Sequence, residues 1–189
     1  MLKSAMWNAI GSATRSVRLI AAALAIAVMA PMLGGCSSSA KAVAYTVQIN
    51  PSGAAADQAY DVDMFGVSSD DEFQAWDSNK VAQHFAGGAV AQLRTDRKPV
   101  TLHWDAGDAG MKQLSRDDPM WDQWLDRGAW YLVIASNREF LDGATGRRQY
   151  AEPIILPLDR RRWSGKLIEI EILNGGMELI TRMKPPPAP

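Results

Sequence analysis

The only cysteine in the chain, Cys36, stands directly behind a short apolar run and divides the sequence into two unlike parts. The residues before it include no acidic residue and three basic ones, Lys3, Arg15 and Arg18. Residues 19–33 are apolar and are followed by small side chains. A basic start, a short apolar stretch and small residues are typical of a secretory signal peptide. The run is shorter than the roughly 20 apolar residues that span a bilayer.

The sequence Leu-Gly-Gly-Cys that ends at Cys36 resembles the lipobox of bacterial lipoproteins. Its glycines leave the backbone accessible to a peptidase. We therefore predict that residues 1–35 are a signal peptide and that Cys36 carries a covalent diacylglycerol and acyl lipid. The alternatives are a free thiol at Cys36 and an uncleaved anchor helix. Ser37 stands where an aspartate usually retains lipoproteins at the inner membrane, so we expect the periplasmic face of the outer membrane.

The part that follows the signal peptide is long enough for one domain with a core of its own. We predict a lipidated tether at residues 36–42, a folded domain at 43–183 and a proline-rich tail at 184–189. Seventeen of the 20 basic residues and all 21 acidic residues fall in this part, so its net charge is near −4. This mild acidity does not indicate nucleic-acid binding. With Cys36 bound to lipid, no disulfide can form within the chain, and the fold depends on packing.

Alternating apolar and polar side chains predict strands along most of the domain. The first two, at residues 42–50 and 60–64, are predicted to be antiparallel neighbours joined by loop 50–58. Further strands are predicted at residues 100–104, 129–136, 152–158, 166–173 and 177–183. The run at 129–136 is nearly all apolar and therefore central, whereas Pro153 and Pro157 place 152–158 at a sheet edge. Asn174 and the two glycines after it predict a hairpin between the last two strands.

Two helices interrupt this pattern. The first is predicted at about residues 70–85, because Ser69 and Glu72 have the spacing of a capping box and Gly87 and Gly88 follow the apolar stripe. The second is predicted near 118–128, with Asp118 as its cap and Gly128 as its end. The predicted fold is mainly β, an antiparallel β-sandwich of about seven strands with one or two inserted short helices.

Residues with catalytic or metal-binding chemistry are few. The two histidines, His84 and His103, are expected to be surface or edge residues, and without a cysteine partner they do not indicate zinc. The acidic loop 105–110 lacks the ligand spacing of a calcium site and is expected to be a solvated turn. The basic run 160–163 fits a solvated loop better than a site for an acidic partner or lipid headgroups. We expect the tryptophans to fill the core, the alternative being a cleft that involves Trp76, Trp121 or Trp124. No cofactor other than the lipid and no enzymatic activity are predicted.

The order of these features resembles the outer-membrane lipoprotein family of type VI secretion systems, called TssJ or SciN. The segments that carry the resemblance are Cys36 and the runs AYTVQIN, PSGAAADQ, DVDMFGVSS, SDDEF, WYLVIASNREF, KLIEIEIL and MELITR. The chain departs from the family in a short first loop, a tryptophan-rich second helix and the proline-rich tail. The resemblance implies a non-enzymatic, transthyretin-like sandwich that binds the periplasmic part of a TssM-like inner-membrane protein.

The same resemblance places the partner contact in the loop between the first two strands. Carried over to this chain, the partner-binding residues are Asn50, Pro51, Ser52, Gly53 and Asp57. We therefore expect a membrane-anchored structural adaptor of a secretion envelope complex. The alternative is a stand-alone envelope lipoprotein that binds a small ligand or another envelope protein, and an enzyme is the least favoured interpretation.

Overall fold

Ten strands make up most of the regular structure in the computed structural model, which describes residues 40–68, 72, 74–86, 91–141 and 146–186. They are β1 (Thr46–Pro51), β2 (Tyr60–Val67), β3 (Val100–Trp104), β4 (Lys112–Leu114), β5 (Tyr131–Ser136), β6 (Glu139–Leu141), β7 (Arg148–Tyr150), β8 (Ile154–Pro157), β9 (Leu167–Leu173) and β10 (Gly176–Leu179). The described α-helices are α1 (Ser78–Phe85), α2 (Ala91–Arg97) and α3 (Met120–Asp126). Short 3-10 helices lie at Gly53–Asp57 and Arg160–Arg162.

Two four-stranded sheets form the body of the domain, with strand orders β10-β9-β1-β4 and β3-β2-β5-β8. The strands β6 and β7 pair separately as a two-stranded ribbon. Every pairing is antiparallel except that of β1 with β9, which is parallel and sets Thr46 opposite Leu167. The predicted β-sandwich is confirmed. The predicted number of strands is too low, because β4, β6 and β7 have three residues each, too few to show an alternating pattern.

The prediction that the first two strands are neighbours is wrong. β1 lies between β9 and β4, whereas β2 lies between β3 and β5 in the other sheet. The loop between them crosses from one sheet to the other. An alternating pattern identifies a strand but not its partner, because pairing depends on residues far away in the sequence.

The core lies between the two sheets, where alternate side chains of each strand meet. The predicted central strand β5 is confirmed between β2 and β8, β8 is the predicted edge strand, and β9 and β10 form the predicted hairpin. Five tryptophans are buried, as expected, whereas Trp130 is 40% exposed. Fully buried aliphatic residues include Val47, Ile49, Ile168, Ile170 and Ile172 in one sheet and Val62, Met64, Leu132, Ile134 and Leu156 in the other.

The first predicted helix is wrong in its extent. α1 begins at Ser78, where the side chain of Asp77 accepts the backbone N–H of Lys80 at 2.8 Å. Trp76, just before it, is non-helical and packs its ring 4.9 Å from that of Phe65. Burying this tryptophan interrupts the helix. The predicted cap Ser69 and the predicted end at residues 87–88 lie outside the described residues, and α2 was not predicted.

The second predicted helix is confirmed as α3. Asp118 accepts the N–H of Met120 at 2.8 Å through its side chain, and Gly128 follows the helix with φ +82°. Trp121 and Trp124 are the buried residues of this helix. They lie against the sandwich, which explains why a polar, aspartate-rich segment folds onto an apolar core.

Candidate functional site

Loop 50–58 leaves β1 at the end opposite the N-terminal tether. Asn50 and Pro51 are the last two residues of β1, and Pro51 pairs with Ile172 of β9. Ser52 donates its backbone N–H to the carbonyl of Ile172 at 2.9 Å. The sheet that contains β1 therefore also fixes the start of the loop.

The rest of the loop is folded rather than extended. Gly53 has φ +55°, a left-handed conformation that glycine adopts without strain, and it begins the 3-10 helix Gly53–Asp57. Ala55 is fully buried, and the carbonyl of Ala56 accepts the N–H of Gly107 at 2.6 Å. Asp57, at the end of this helix, is exposed. A loop fixed in this way presents its exposed residues at low entropic cost to binding.

An open groove of about 390 Å³ lies beside the end of this loop. Its walls come from the loop, from the start of the β6–β7 ribbon and from the turn between β9 and β10. We call this region the loop end of the domain. The residues that line the groove are Asp57, Gln58, Arg138, Glu139, Phe140, Arg148 and Asn174.

Arg138 is a buried cation of this groove, with only 5% of its surface exposed. It donates from Nη1 to the carbonyl of Leu173 at 2.7 Å, which ties the ribbon to the end of β9. The guanidinium lies 4.9 Å from the centre of the Phe140 ring. Burial lowers the pKa of Arg138, against the effect of the nearby Asp57 carboxylate. Because arginine is effectively always protonated in proteins, the groove keeps a fixed positive charge at neutral pH.

Charges of both signs surround this arginine. Arg148 lies 3.6 Å from the carboxylate of Glu139; the arginine side chain is largely exposed and the glutamate side chain is partly exposed. Asp57 is exposed on the opposite wall. A groove with buried positive charge and an exposed, mixed rim resembles a protein-docking surface more than a closed ligand cavity.

The structure places the predicted partner-binding residues in three different settings. Asn50 and Pro51 belong to β1, Ser52 and Gly53 form the start of the loop helix, and Asp57 lines the groove. Arg138 was not predicted, although it lies only two residues beyond the apolar strand β5. The hydrogen bond that identifies Arg138 joins it to Leu173, a residue 35 positions later in the chain, and the sequence does not show such a contact. Cys36 lies outside the described residues.

His84 corrects the expectation of a surface or edge histidine. It is 2% exposed, and its Nε2 lies 2.7 Å from Oδ2 of Asp63, which is fully buried. Arg94 donates twice to the same carboxylate, at 2.5 and 2.8 Å, and the Thr101 hydroxyl donates at 2.6 Å. Asp63 thus joins α1, α2 and β3 to β2. The contacts from His84 and Arg94 fasten α1 and α2 to the sheet of β2.

The remaining polar candidates match their predicted settings. His103 is an exposed residue of the edge strand β3, with Nδ1 2.7 Å from Asp61. In loop 105–110, Asp108 pairs with Lys112 at 2.8 Å and accepts the N–H of Gly110. Within the described residues, no three His, Cys, Asp or Glu side chains are grouped so that they could hold a metal ion. The part of the chain that the structure describes also contains no helix long and apolar enough to cross a membrane.

No protein-family model and no curated protein sequence matches the chain. The chain is similar to the solved structure of Serratia marcescens Lip, a membrane-bound component of the type VI secretion system. The two chains are 14% identical, the match covers 76% of this chain and 99% of that chain, and the TM-score is 0.43. It is similar to the type VI lipoprotein TssJ1 of Pseudomonas aeruginosa, with 15% identity, coverage of 77% and 99%, and a TM-score of 0.42.

A third similar structure is described as the C-terminal domain of the type VI protein TssM from EAEC, with 14% identity, coverage of 72% and 99%, and a TM-score of 0.46. All three structures come from the secretion system that the sequence resemblance indicated. Because these TM-scores lie below 0.5, we assign the sandwich fold from the two sheets and the core of this chain itself.

Proposed function

We propose that the chain is a lipid-anchored, non-enzymatic adaptor of a type VI secretion envelope complex. Cys36 holds it on the periplasmic face of the outer membrane, and loop 50–58 binds the periplasmic part of a TssM-like inner-membrane protein. The proposal requires no cofactor beyond the lipid and no nucleic acid. It combines the family resemblance of the sequence with the arrangement of the loop end.

One observation carries the proposal: β1 has the tether at its start and loop 50–58 at its finish. Six strand residues extend about 20 Å. A domain anchored at one end therefore presents its rigid loop on the side away from the membrane. An adaptor between two membranes needs its anchor and its docking surface at opposite ends.

A capture experiment with the purified periplasmic domain of a TssM-like protein from the same genome tests the docking surface. Gly53→Val distorts the loop, because a β-branched residue does not adopt the left-handed conformation at φ +55°. Asp57→Arg reverses a charge in the groove wall. Each variant should weaken capture at least about tenfold, as loss of an interface hot spot does.

The control for this experiment is Lys80→Glu on α1, an exposed charge reversal outside the loop end. It should capture the partner like the unaltered chain. Melting temperatures of all variants separate loss of binding from loss of fold. Unchanged capture by both folded loop variants would exclude the loop as the docking site.

The membrane anchor is tested separately by replacing Cys36 with serine. The variant should leave the membrane fraction and become soluble in the periplasm. Its continued association with membranes washed at high salt would show that residues 19–33 act as an uncleaved anchor. A neighbouring gene cluster for contractile-sheath components would support the secretion-system assignment, and its absence from the genome would contradict it.

The small-ligand alternative finds less support in the structure. A cavity lined by Trp124, Arg97 and Arg127 has a volume of about 190 Å³. Ligand pockets usually measure roughly 300 Å³ or more and are mostly apolar. The larger groove at the loop end is open and has a mixed-charge rim, which suits a protein partner.

A further inference from the structure

The two ends of the folded chain meet on one short segment. Ala42 forms a β-bridge with Asp159, and Arg160 donates its N–H to the carbonyl of Lys41 at 3.2 Å. From the other terminus, Lys184 donates its N–H to the carbonyl of Arg162 at 2.8 Å, and Arg162 Nε donates back at 2.9 Å. We call this region the tether end. It comprises residues 40–45, 158–167 and 182–184.

Positive charge accumulates at the tether end, although the sequence after Cys36 is acidic as a whole. Among the described residues, six of the seven cations there lie in no ion pair with a carboxylate. The seventh, Arg161, is paired with the carboxylate of Asp159 at 2.7 Å, and its hydrogen bonds hold the pKa of Asp159 below the ordinary value. The six unpaired cations are Lys41, Arg160, Arg162, Lys166, Arg182 and Lys184.

Exposed apolar side chains lie beside these cations. Met183, which is 38% exposed, precedes Lys184, and Leu167, which is 44% exposed, follows Lys166. The carbonyl of Trp130, whose side chain is 40% exposed, accepts the N–H of Leu158 at the same end. Lysine, arginine and tryptophan with adjoining apolar groups are the residues that proteins place at a membrane–water interface.

The chain between the proposed lipid site and this surface is short. Ala40 follows Cys36 by four residues, and four extended residues span at most about 14 Å. Exposed charges act over about 8 Å at physiological salt. If Cys36 carries lipid, the tether end stays close to the headgroups, so its charge acts on the lipid surface directly.

We infer that the tether end is a contact surface for anionic phospholipid headgroups, which holds the domain with loop 50–58 directed away from the membrane. This inference rests on the proposed lipid attachment at Cys36. The cationic tether end would be a second membrane contact beside the lipid on Cys36. A lipid anchor and a cationic patch together bind a membrane surface more firmly than either does alone. It also assigns an orientation, which a flexible tether by itself does not fix.

Vesicle flotation tests the surface without depending on lipidation. The mature chain with Cys36→Ser, residues 36–189, contains the whole compact unit 40–189 and is mixed at low salt with vesicles of phosphatidylcholine alone or with added phosphatidylglycerol. We expect flotation only with the anionic vesicles and its loss at high salt. Equal flotation with both vesicle types, or none with either, would overturn the inference.

A pair of double variants locates the contact. Arg160→Glu with Lys184→Glu should weaken flotation by more than about tenfold, since each basic residue near an anionic surface contributes several-fold. The matched control, Lys80→Glu with Lys98→Glu, makes the same charge change on exposed residues elsewhere and should float normally. Equal losses in the two double variants would show that only net charge matters and would contradict a defined surface. The Cys36→Ser fractionation in cells, with membranes washed at high salt to remove the tether-end contact, reports on lipidation, so the two proposals can fail independently.

Discussion

Nε2 of His84 lies 2.7 Å from Oδ2 of Asp63, and both side chains are buried on the face of the β2 sheet that the helices cover. The His84 ring also stacks on Phe65, with ring centres 5.1 Å apart, and meets the Trp76 ring at 5.6 Å. This face of β2 is therefore a second packing layer outside the sandwich core. The fully buried carboxylate of Asp63 in this layer is fastened by three different elements.

We expect Asp63→Asn to destabilise the domain by about 3 kcal/mol, because removing one partner leaves buried donors without their charge partner. Arg94 is partly exposed and can rehydrate, which keeps the loss towards the lower end of the usual range. Urea unfolding at neutral pH measures the change. The matched control is Asp61→Asn, two residues away on the same strand, whose partner His103 is exposed. An equally large loss of unfolding free energy in Asp61→Asn would show that the buried network stabilises the domain no more than the exposed pair does.

The same carboxylate makes stability depend on pH. Burial alone would raise the pKa of Asp63, but the hydrogen bonds from His84, Arg94 and Thr101 outweigh it and hold the pKa below its ordinary value. A lowered pKa in the folded state adds stability above the unfolded pKa of about 4, and this stability is lost as the pH falls through the folded pKa. The free energy of unfolding should therefore fall below about pH 4, and less steeply in Asp63→Asn. Parallel pH profiles for the two proteins would contradict this assignment.

Gly66 allows close contact between β2 and α3. A Cβ at this position would lie 2.8 Å from both the Ala129 and the Trp124 Cβ atoms. Gly66→Ala should therefore cost about 1–3 kcal/mol through overpacking. Gly165→Ala, whose added Cβ would come no closer than 4.0 Å to Leu167 N, is the control and should leave the melting temperature nearly unchanged. An unchanged melting temperature in Gly66→Ala would show that α3 moves aside without cost.

Arg138→Met tests whether this arginine stabilises the groove and contributes to partner binding. Methionine keeps the aliphatic packing against Phe140 but leaves the carbonyl of Leu173 without its side-chain donor, at a cost of about 1–3 kcal/mol. Capture of the partner should weaken as well, because the wall opposite Asp57 loses its charge. Arg148→Met, an exposed groove residue, should lower affinity without a comparable loss of stability. If Arg138→Met changes neither quantity, the arginine only fills space.

The strands could largely be predicted from the sequence, because a half-buried strand repeats every two residues wherever it pairs. The hairpin of β9 and β10 was predictable since its turn and both strands are adjacent in the chain. The position of β1 was not, because its partners β9 and β4 are set by distant residues. Asp63 shows the same limit: the sequence shows that it alternates with Val62 and Met64, but not that α1 and α2 cover its face of the strand. The interrupted helix before Ser78 follows from the burial of Trp76, which a capping pattern does not reveal.

The parallel pairing of β1 with β9 has a consequence for the order in which the domain folds. β1 is the first strand of the described residues but sits inside its sheet, and it pairs along its whole length with a strand near the opposite end of the sequence. Such a distant pairing forms late, because the long loop between the strands must close first. If the chain crosses a membrane from its N-terminus, as we propose, β1 emerges well before β9. The pairing of β1 with β9 then forms only after most of the chain has crossed.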